Sequence, residues 1–185
     1  MRKSVKKAAV LIPLIIRKNK LNIILTLRNP NLPYHSGQIC FPGGKMEEGE
    51  TPYDTALRET EEEINIPREL IEIVTEMPEE IAYTSDFLIT PIIGIVDKSA
   101  LPNPNESEVL EVIFIPLSDL LSLPVREESA IIDEEEISYP VYKWKGYKIW
   151  GATARIIRKL LERKDILNEL NRRAHVHIRR DMESN

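Results

Sequence analysis

Two stretches near the start of the chain are apolar and rich in β-branched residues: residues 8–16 and 21–28, joined by the polar residues 17–20. Two such runs across a short polar turn predict a β-hairpin. Residues 29–37 hold Pro30, Pro33 and Gly37, which marks a loop. Residues 38–41 follow as a short strand ending at Pro42, Gly43 and Gly44. Residues 51–64 carry the strongest helical pattern. Tyr53, Ala56, Leu57, Thr60 and Ile64 recur at spacings of three and four and define one face. Thr51 suits the N-cap, Pro52 the first helical position, and Asp54 stands three residues after the cap. Asn65 suits a left-handed C-cap, and Pro67 stops the helix.

Downstream, residues 87–96 and 109–115 read as strands, and residues 116–121 as a helical turn. Lys145 and Gly146 predict a tight turn within residues 142–147, and residues 153–170 have helical periodicity. The last fifteen residues are polar, a loosely held tail. The order of strands, helix, strands, helix predicts an α+β fold, an α/β/α sandwich with a mixed sheet. The length of 185 residues suits a single domain over 1–185, with its core in about 8–170 and a polar tail at 171–185.

Hydrophobic residues make up 42% and charged residues 30%, enough apolar material for a core. The net charge of -5 argues against general nucleic-acid binding and an mRNA-decapping role, which lean on a basic surface. Basic residues cluster at the ends (Arg2, Lys3, Lys6 and Lys7; Arg172, Arg173, Arg179 and Arg180), and the acidic excess lies between. Cys40 is the single cysteine, which excludes an intrachain disulfide and fits a reducing compartment. The run at 8–16 is too short to span a bilayer, and no small-residue cleavage site follows it. The expected location is the cytoplasm, with no membrane partner.

Within the helix, Glu59, Glu62 and Glu63 stand at i, i+3 and i+4. At about 100° per residue all three share a face, one that points away from the apolar stripe. Like charges so spaced repel by about a few tenths of a kcal/mol per pair. A divalent cation removes that repulsion, and dense oxygen ligands suit Mg²⁺ or Mn²⁺. A solvated acidic face is the ordinary alternative. The frame changes that picture: Gly43 and Gly44 precede the helix, Glu50 stands just before the cap, and Arg58 adjoins the acidic trio.

Residues 44–66 resemble the Nudix box, G-x5-E-x7-R-E-U-x-E-E-x-G-U with U apolar. Gly44, Glu50, Arg58, Glu59, Glu62, Glu63 and Ile66 match in register. Thr60 replaces the usual apolar residue and Asn65 the usual glycine; neither touches the metal chemistry. The resemblance implies a diphosphate-cleaving hydrolase. Glu59, Glu62 and Glu63 would ligate Mg²⁺ or Mn²⁺ with help from the Gly44 carbonyl. Glu59 or Glu62 would instead serve as general base, and Arg58 would orient the cluster through Glu50 or Glu62.

Upstream residues resemble the extra motif of the coenzyme A diphosphatase branch, L-L-T-x-R-(S/A)-x3-R-x3-G-x3-F-P-G-G. Thr26, Arg28, Gly37, Phe41, Pro42, Gly43 and Gly44 match; Asn29 and Pro33 replace the small residue and the second arginine. Weaker likeness to this branch extends over most of residues 8–161. It implies cleavage of coenzyme A or its derivatives to 3′,5′-ADP and 4′-phosphopantetheine, with Arg28, His35 and Gly43 as substrate-binding residues. Cys40 and Phe41 read as buried apolar residues, and Glu108 as a solvated loop charge, with an extra carboxylate for the site as the alternative. Two alternatives stay open: a Nudix pyrophosphatase for ADP-ribose, NADH or nucleoside triphosphates, and a non-catalytic Nudix module. Oligomeric state also stays open, a homodimer being common in the fold family.

Overall fold

The computed structural model describes residues 5–33, 36–83, 85–132 and 134–183, with side chains through Ala174. Strands β1 (Lys6–Arg17) and β2 (Lys20–Arg28) form the predicted hairpin. Lys18 and Asn19 turn the chain at positive φ, 51° and 56°, the backbone that matches strand twist in a two-residue hairpin.

β1 runs through the middle of the main sheet, between β2 and the parallel strand β7 (Phe87–Val96). Its alternate side chains serve two cores. Ile12 and Leu14 enter one, Ala9, Leu11 and Ile15 the other. Burial on both faces is why this strand reads as one unbroken apolar run. The sheet order is β3-β2-β1-β7-β5, where β3 is Ile39–Cys40 and β5 is Ile71–Glu76. Three further strands attach to it: β4 (Gly43–Lys45) on β1, β6 (Glu80–Ala82) on β7, and β8 (Val109–Pro116) on β2. Helix α1 (Pro52–Ile64) covers one face through Ala56 and Ile64.

The other face is covered by helices α2 (Leu117–Ser122), α3 (Gly151–Glu162) and α4 (Lys164–Glu183). A small second sheet, β11-β10-β9, lies beside α3; its strands are β9 (Arg126–Ile132), β10 (Glu135–Trp144) and β11 (Tyr147–Ile149). The result is the α+β sandwich with a mixed sheet that the pattern predicts. No helix among the described residues is long and apolar enough to cross a membrane.

Three local expectations change. Gly43 and Gly44 do not merely end the preceding strand but form β4, because Ala9 pairs with Gly44 and Val10 with Gly43. The single helix expected over 153–170 is two, broken at Arg163, whose backbone N–H returns to Leu160 O at 3.1 Å. α4 continues into the polar tail, where Ala174 is buried and Arg173 pairs with Glu72 at 2.7 Å. β5, β6, β9 and most of β10 add to the strands the sequence predicts.

Candidate active site

The site is built where β1 changes partner. Leu14–Arg17 pair with β2, whereas Ala8–Val10 pair with β4. Between β4 and the far end of β2 lies the mouth of a cavity of about 470 Å³. Arg28, Gly43, Gly44, Glu59, Glu63 and Glu108 all line it.

α1 presents its carboxylates there because both of its ends are fixed. The Thr51 hydroxyl accepts from Asp54 N at 3.2 Å, and the Asp54 carboxylate accepts from Thr51 N at 3.0 Å. Asn65 takes left-handed geometry (φ 53°, ψ 36°). Its side chain donates to Asn103 O at 2.7 Å, and the backbone N–H groups of Asn103 and Asn105 donate to Ile64 O and Glu63 O at 2.9 Å. These bonds satisfy carbonyls that a helix end otherwise leaves orphaned. Thr60, which stands at an apolar position of the box, is fully buried with its hydroxyl donating to Ala56 O at 2.7 Å. Tyr53 departs from the expected stripe. It is half-exposed and its hydroxyl donates to Glu76 at 3.3 Å.

The three glutamates share a side of the helix but not an environment. Glu62 is exposed, at the rim. Glu59 lies against the backbone of Gly44, where an added Cβ would collide with its carboxylate. Burial raises the Glu59 pKa, against the pull of Arg58. Gly44→Ala is therefore expected to displace Glu59 and lower turnover by about tenfold or more while circular dichroism stays native. Wild-type turnover in that variant would refute the close packing.

Glu63 corrects the picture of a solvated acidic face, since it is only 1% exposed. Burial pushes its carboxyl up to about 8; Arg28 opposes this, and Glu59 and Glu108 add to it. Its Oε1 accepts from Arg28 Nη1 at 3.3 Å and the Gly43 amide also donates to it, but Oε2 is buried without a hydrogen-bond partner. Arg28 Nε is orphaned too. Arg28 is thus tied to the carboxylate site.

Arg58 is the hub. Its Nε donates to Glu50 Oε1 at 2.7 Å, Nη2 to Glu50 Oε2 at 3.1 Å, and Nη1 to both Glu59 (2.9 Å) and Glu62 (3.0 Å). The Arg58 bonds, the Thr55 hydroxyl (2.6 Å) and the Glu47 amide hold Glu50 down at about 2. The orienting role expected of Arg58 and Glu50 has this geometry.

The sequence gives Asn29 no role in the site and gives Glu108 only as the alternative to a solvated charge. Asn29, which replaces a small residue of the upstream motif, brackets the 103–108 loop. Its N–H donates to Glu108 O at 2.8 Å and its side chain to Glu106 O at 2.7 Å. That bracket brings Glu108 to the cavity beside Glu59 and Glu63, not out into solvent. The Asx character of Asn29 after a strand was the available signal. Cys40 is half-buried rather than fully buried, and desolvation first and then Glu63 push its thiol up to about 11, so it is no nucleophile. Phe41 is core. His35 lies outside the described residues.

Among the described residues, no three carboxylate, imidazole or thiol groups already converge on one point. The donor chemistry nonetheless fits a divalent cation. Glu63 Oε2 is a buried carboxylate oxygen without a partner, and Glu59 and Glu108 add negative charge to it. Glu59, Glu62, Glu63 and the Gly44 carbonyl are the groups that could hold such an ion.

Comparison with known proteins agrees with this chemistry. The NUDIX domain model matches residues 5–136. An uncharacterized Nudix hydrolase NudL of Yersinia pestis is 38% identical over 164 residues, spanning 87% of this chain and 81% of that protein. An Ap4A hydrolase of C. elegans shares the fold at a TM-score of 0.54 and 22% identity, covering 63% of this chain and 84% of that one. The Nudix hydrolase RenU of M. smegmatis does so at 0.54 and 22%, covering 65% and 76%. Since the family model spans every carboxylate of the site and the NudL likeness covers most of both chains, the protein belongs to the NUDIX family, as a Nudix pyrophosphohydrolase.

Proposed function

We propose that the protein hydrolyses coenzyme A or its derivatives to 3′,5′-ADP and 4′-phosphopantetheine, using Mg²⁺ or Mn²⁺. One observation carries this reading. Residues of the upstream motif (Arg28, Phe41, Gly43 and Gly44) line the same cavity as the box carboxylates, and Arg28 bonds Glu63 directly. The motif is therefore part of the site.

When bound, the cation polarises phosphoryl oxygens and lowers the pKa of water. The chain's own residues do the rest. Water attacks one phosphorus of the diphosphate, the bridging P–O bond breaks, and the leaving phosphate departs on the bridging oxygen. Glu59 or Glu62 takes the proton from the attacking water. Arg58 holds that carboxylate in place from Glu50, and Arg28 and Gly43 face the substrate, with His35 as a third contact. Working as a single domain over 1–185, in the cytoplasm, the chain acts on a small nucleotide.

Pro33 favours a second reading, because an arginine there would add a phosphate contact. Without it, ADP-ribose, NADH or a nucleoside triphosphate is the rival substrate. A panel of coenzyme A, acetyl-coenzyme A, ADP-ribose, NADH and dNTPs separates the two. The coenzyme A compounds are expected to show the highest kcat/KM; a higher value for any other compound overturns the assignment.

A further inference from the structure

The two oxygens of the Glu63 carboxylate stand in different surroundings. Oε1 accepts from Arg28 Nη1 at 3.3 Å, whereas Oε2 is buried without a hydrogen-bond partner. The Glu63 side chain is 1% exposed and that of Arg28 is 23% exposed, so the guanidinium stands between a buried carboxylate and the open cavity. The backbone aims it there. β2 shifts register against β8 between Leu27 and Arg28, and Arg28 N donates to Gln38 O at 3.0 Å. An irregularity of this kind re-aims a side chain at the end of a strand.

The other cations near the cavity are used differently. Arg58 is committed to Glu50, Glu59 and Glu62. Arg155 donates to Glu80 at 2.7 Å and to Ile81 O at 2.6 Å. Lys45 lines the cavity from β4 and is exposed. Arg28 therefore shares a carboxylate of the box with any cation bound at Oε2. One carboxylate serving two cations is a competition. Each cation reduces the negative charge that the other meets, and the two repel one another in a poorly hydrated site. A diphosphate at the cavity mouth acts in the opposite sense. Its oxygens pair with the guanidinium and offset the charge of Arg28.

We propose that Arg28 and the cation of the carboxylate site compete for Glu63, so that Arg28 weakens metal binding and a bound diphosphate relieves that opposition. The inference rests on the metal reading of the site and is independent of which diphosphate is cleaved. Metal and substrate are then coupled through one residue, and by linkage each raises the affinity of the other by the same factor. A divalent ion carries twice the charge of a proton that it displaces from Glu63, so loss of Arg28 favours the ion whether or not Glu63 starts protonated.

The test is Mn²⁺ affinity, read by electron paramagnetic resonance of the free ion. It is measured with and without the uncleavable diphosphate α,β-methylene-ADP and corrected for the Mn²⁺ that this compound holds alone. Glu63→Gln is expected to weaken Mn²⁺ binding by roughly tenfold or more. Arg28→Gln, which keeps a donor for Oε1, is expected to tighten Mn²⁺ binding by roughly tenfold and to shrink the gain from α,β-methylene-ADP by a similar factor. Arg28→Lys keeps the charge, and Lys45→Gln removes a charge that is not bonded to Glu63; both should stay within about threefold of wild type. Mn²⁺ affinity in Arg28→Gln equal to or weaker than wild type, an undiminished gain from the diphosphate, or equal tightening in Arg28→Lys or Lys45→Gln overturns the competition while Glu63 stands as a ligand. Unchanged Mn²⁺ affinity in Glu63→Gln overturns both the competition and the place of Glu63 among the ligands.

Discussion

Glu59→Gln is expected to lower kcat by about two to four orders of magnitude with the fold intact. The change keeps the shape of the side chain and removes only its charge and basicity. Glu59 lies against Gly44, lines the cavity and bonds Arg58, so the amide removes the charge that the proposed metal-ligand or base role at this position needs. Glu62→Gln should act in the same direction. Its exposed place at the rim makes the loss the smaller of the two if Glu59 is the base, and the larger if Glu62 is. Steady-state kinetics with thermal melts separate chemistry from folding. Near-normal turnover in both variants would rule out the carboxylate mechanism.

Arg58→Ala has the second largest expected effect, on stability as well as rate. It leaves Glu50, Glu59 and Glu62 close together without their shared cation. Removing one partner of such a network typically costs more than the pair contributes. A fall in Tm of roughly 4–8 °C at neutral pH is expected, with loss of most activity. The pH dependence fixes the cause. Glu50 is held at about 2, below its ordinary 4.5, first by Arg58. A depressed carboxylate contributes stability that is full above pH 4.5 and is lost as pH falls through about 2. The gap in Tm between wild type and Arg58→Ala should therefore be widest above pH 4.5 and shrink toward pH 2. A gap that stays constant across that range would show that Glu50 is not what Arg58 holds.

The catalytic helix was legible because its signals are local. The Thr51 and Asp54 cap, Pro52 and Asn65 act within a few residues of one another, and the observed box matches them. The β1–β2 hairpin was legible for the same reason. Glu63 was not. Its burial depends on β2 and α1 meeting, and its partner Arg28 is distant in sequence, so helical spacing alone gave an acidic face open to solvent. Glu108 and Asn29 were hidden likewise, since their placement comes from a loop folding back on the end of α1. The β9–β10 hairpin does carry a period-two pattern in Ala130, Ile132, Ile137 and Tyr139. Exposed glutamates and serines between them, and Ile131 on the outer face, mask it. The break between α3 and α4 was missed because Arg163 is an ordinary helix former and apolar residues of both helices join one core, which keeps the helical periodicity running across it.

The proposed chemistry is metal-dependent hydrolysis of the coenzyme A diphosphate at the carboxylate site. Mass analysis of products from coenzyme A, with Mg²⁺ or Mn²⁺ and again after chelation by EDTA, tests it most directly. The expected sole products are 3′,5′-ADP and 4′-phosphopantetheine, formed with the metal and not after chelation. Cleavage at another bond, or equal cleavage in EDTA, would contradict it.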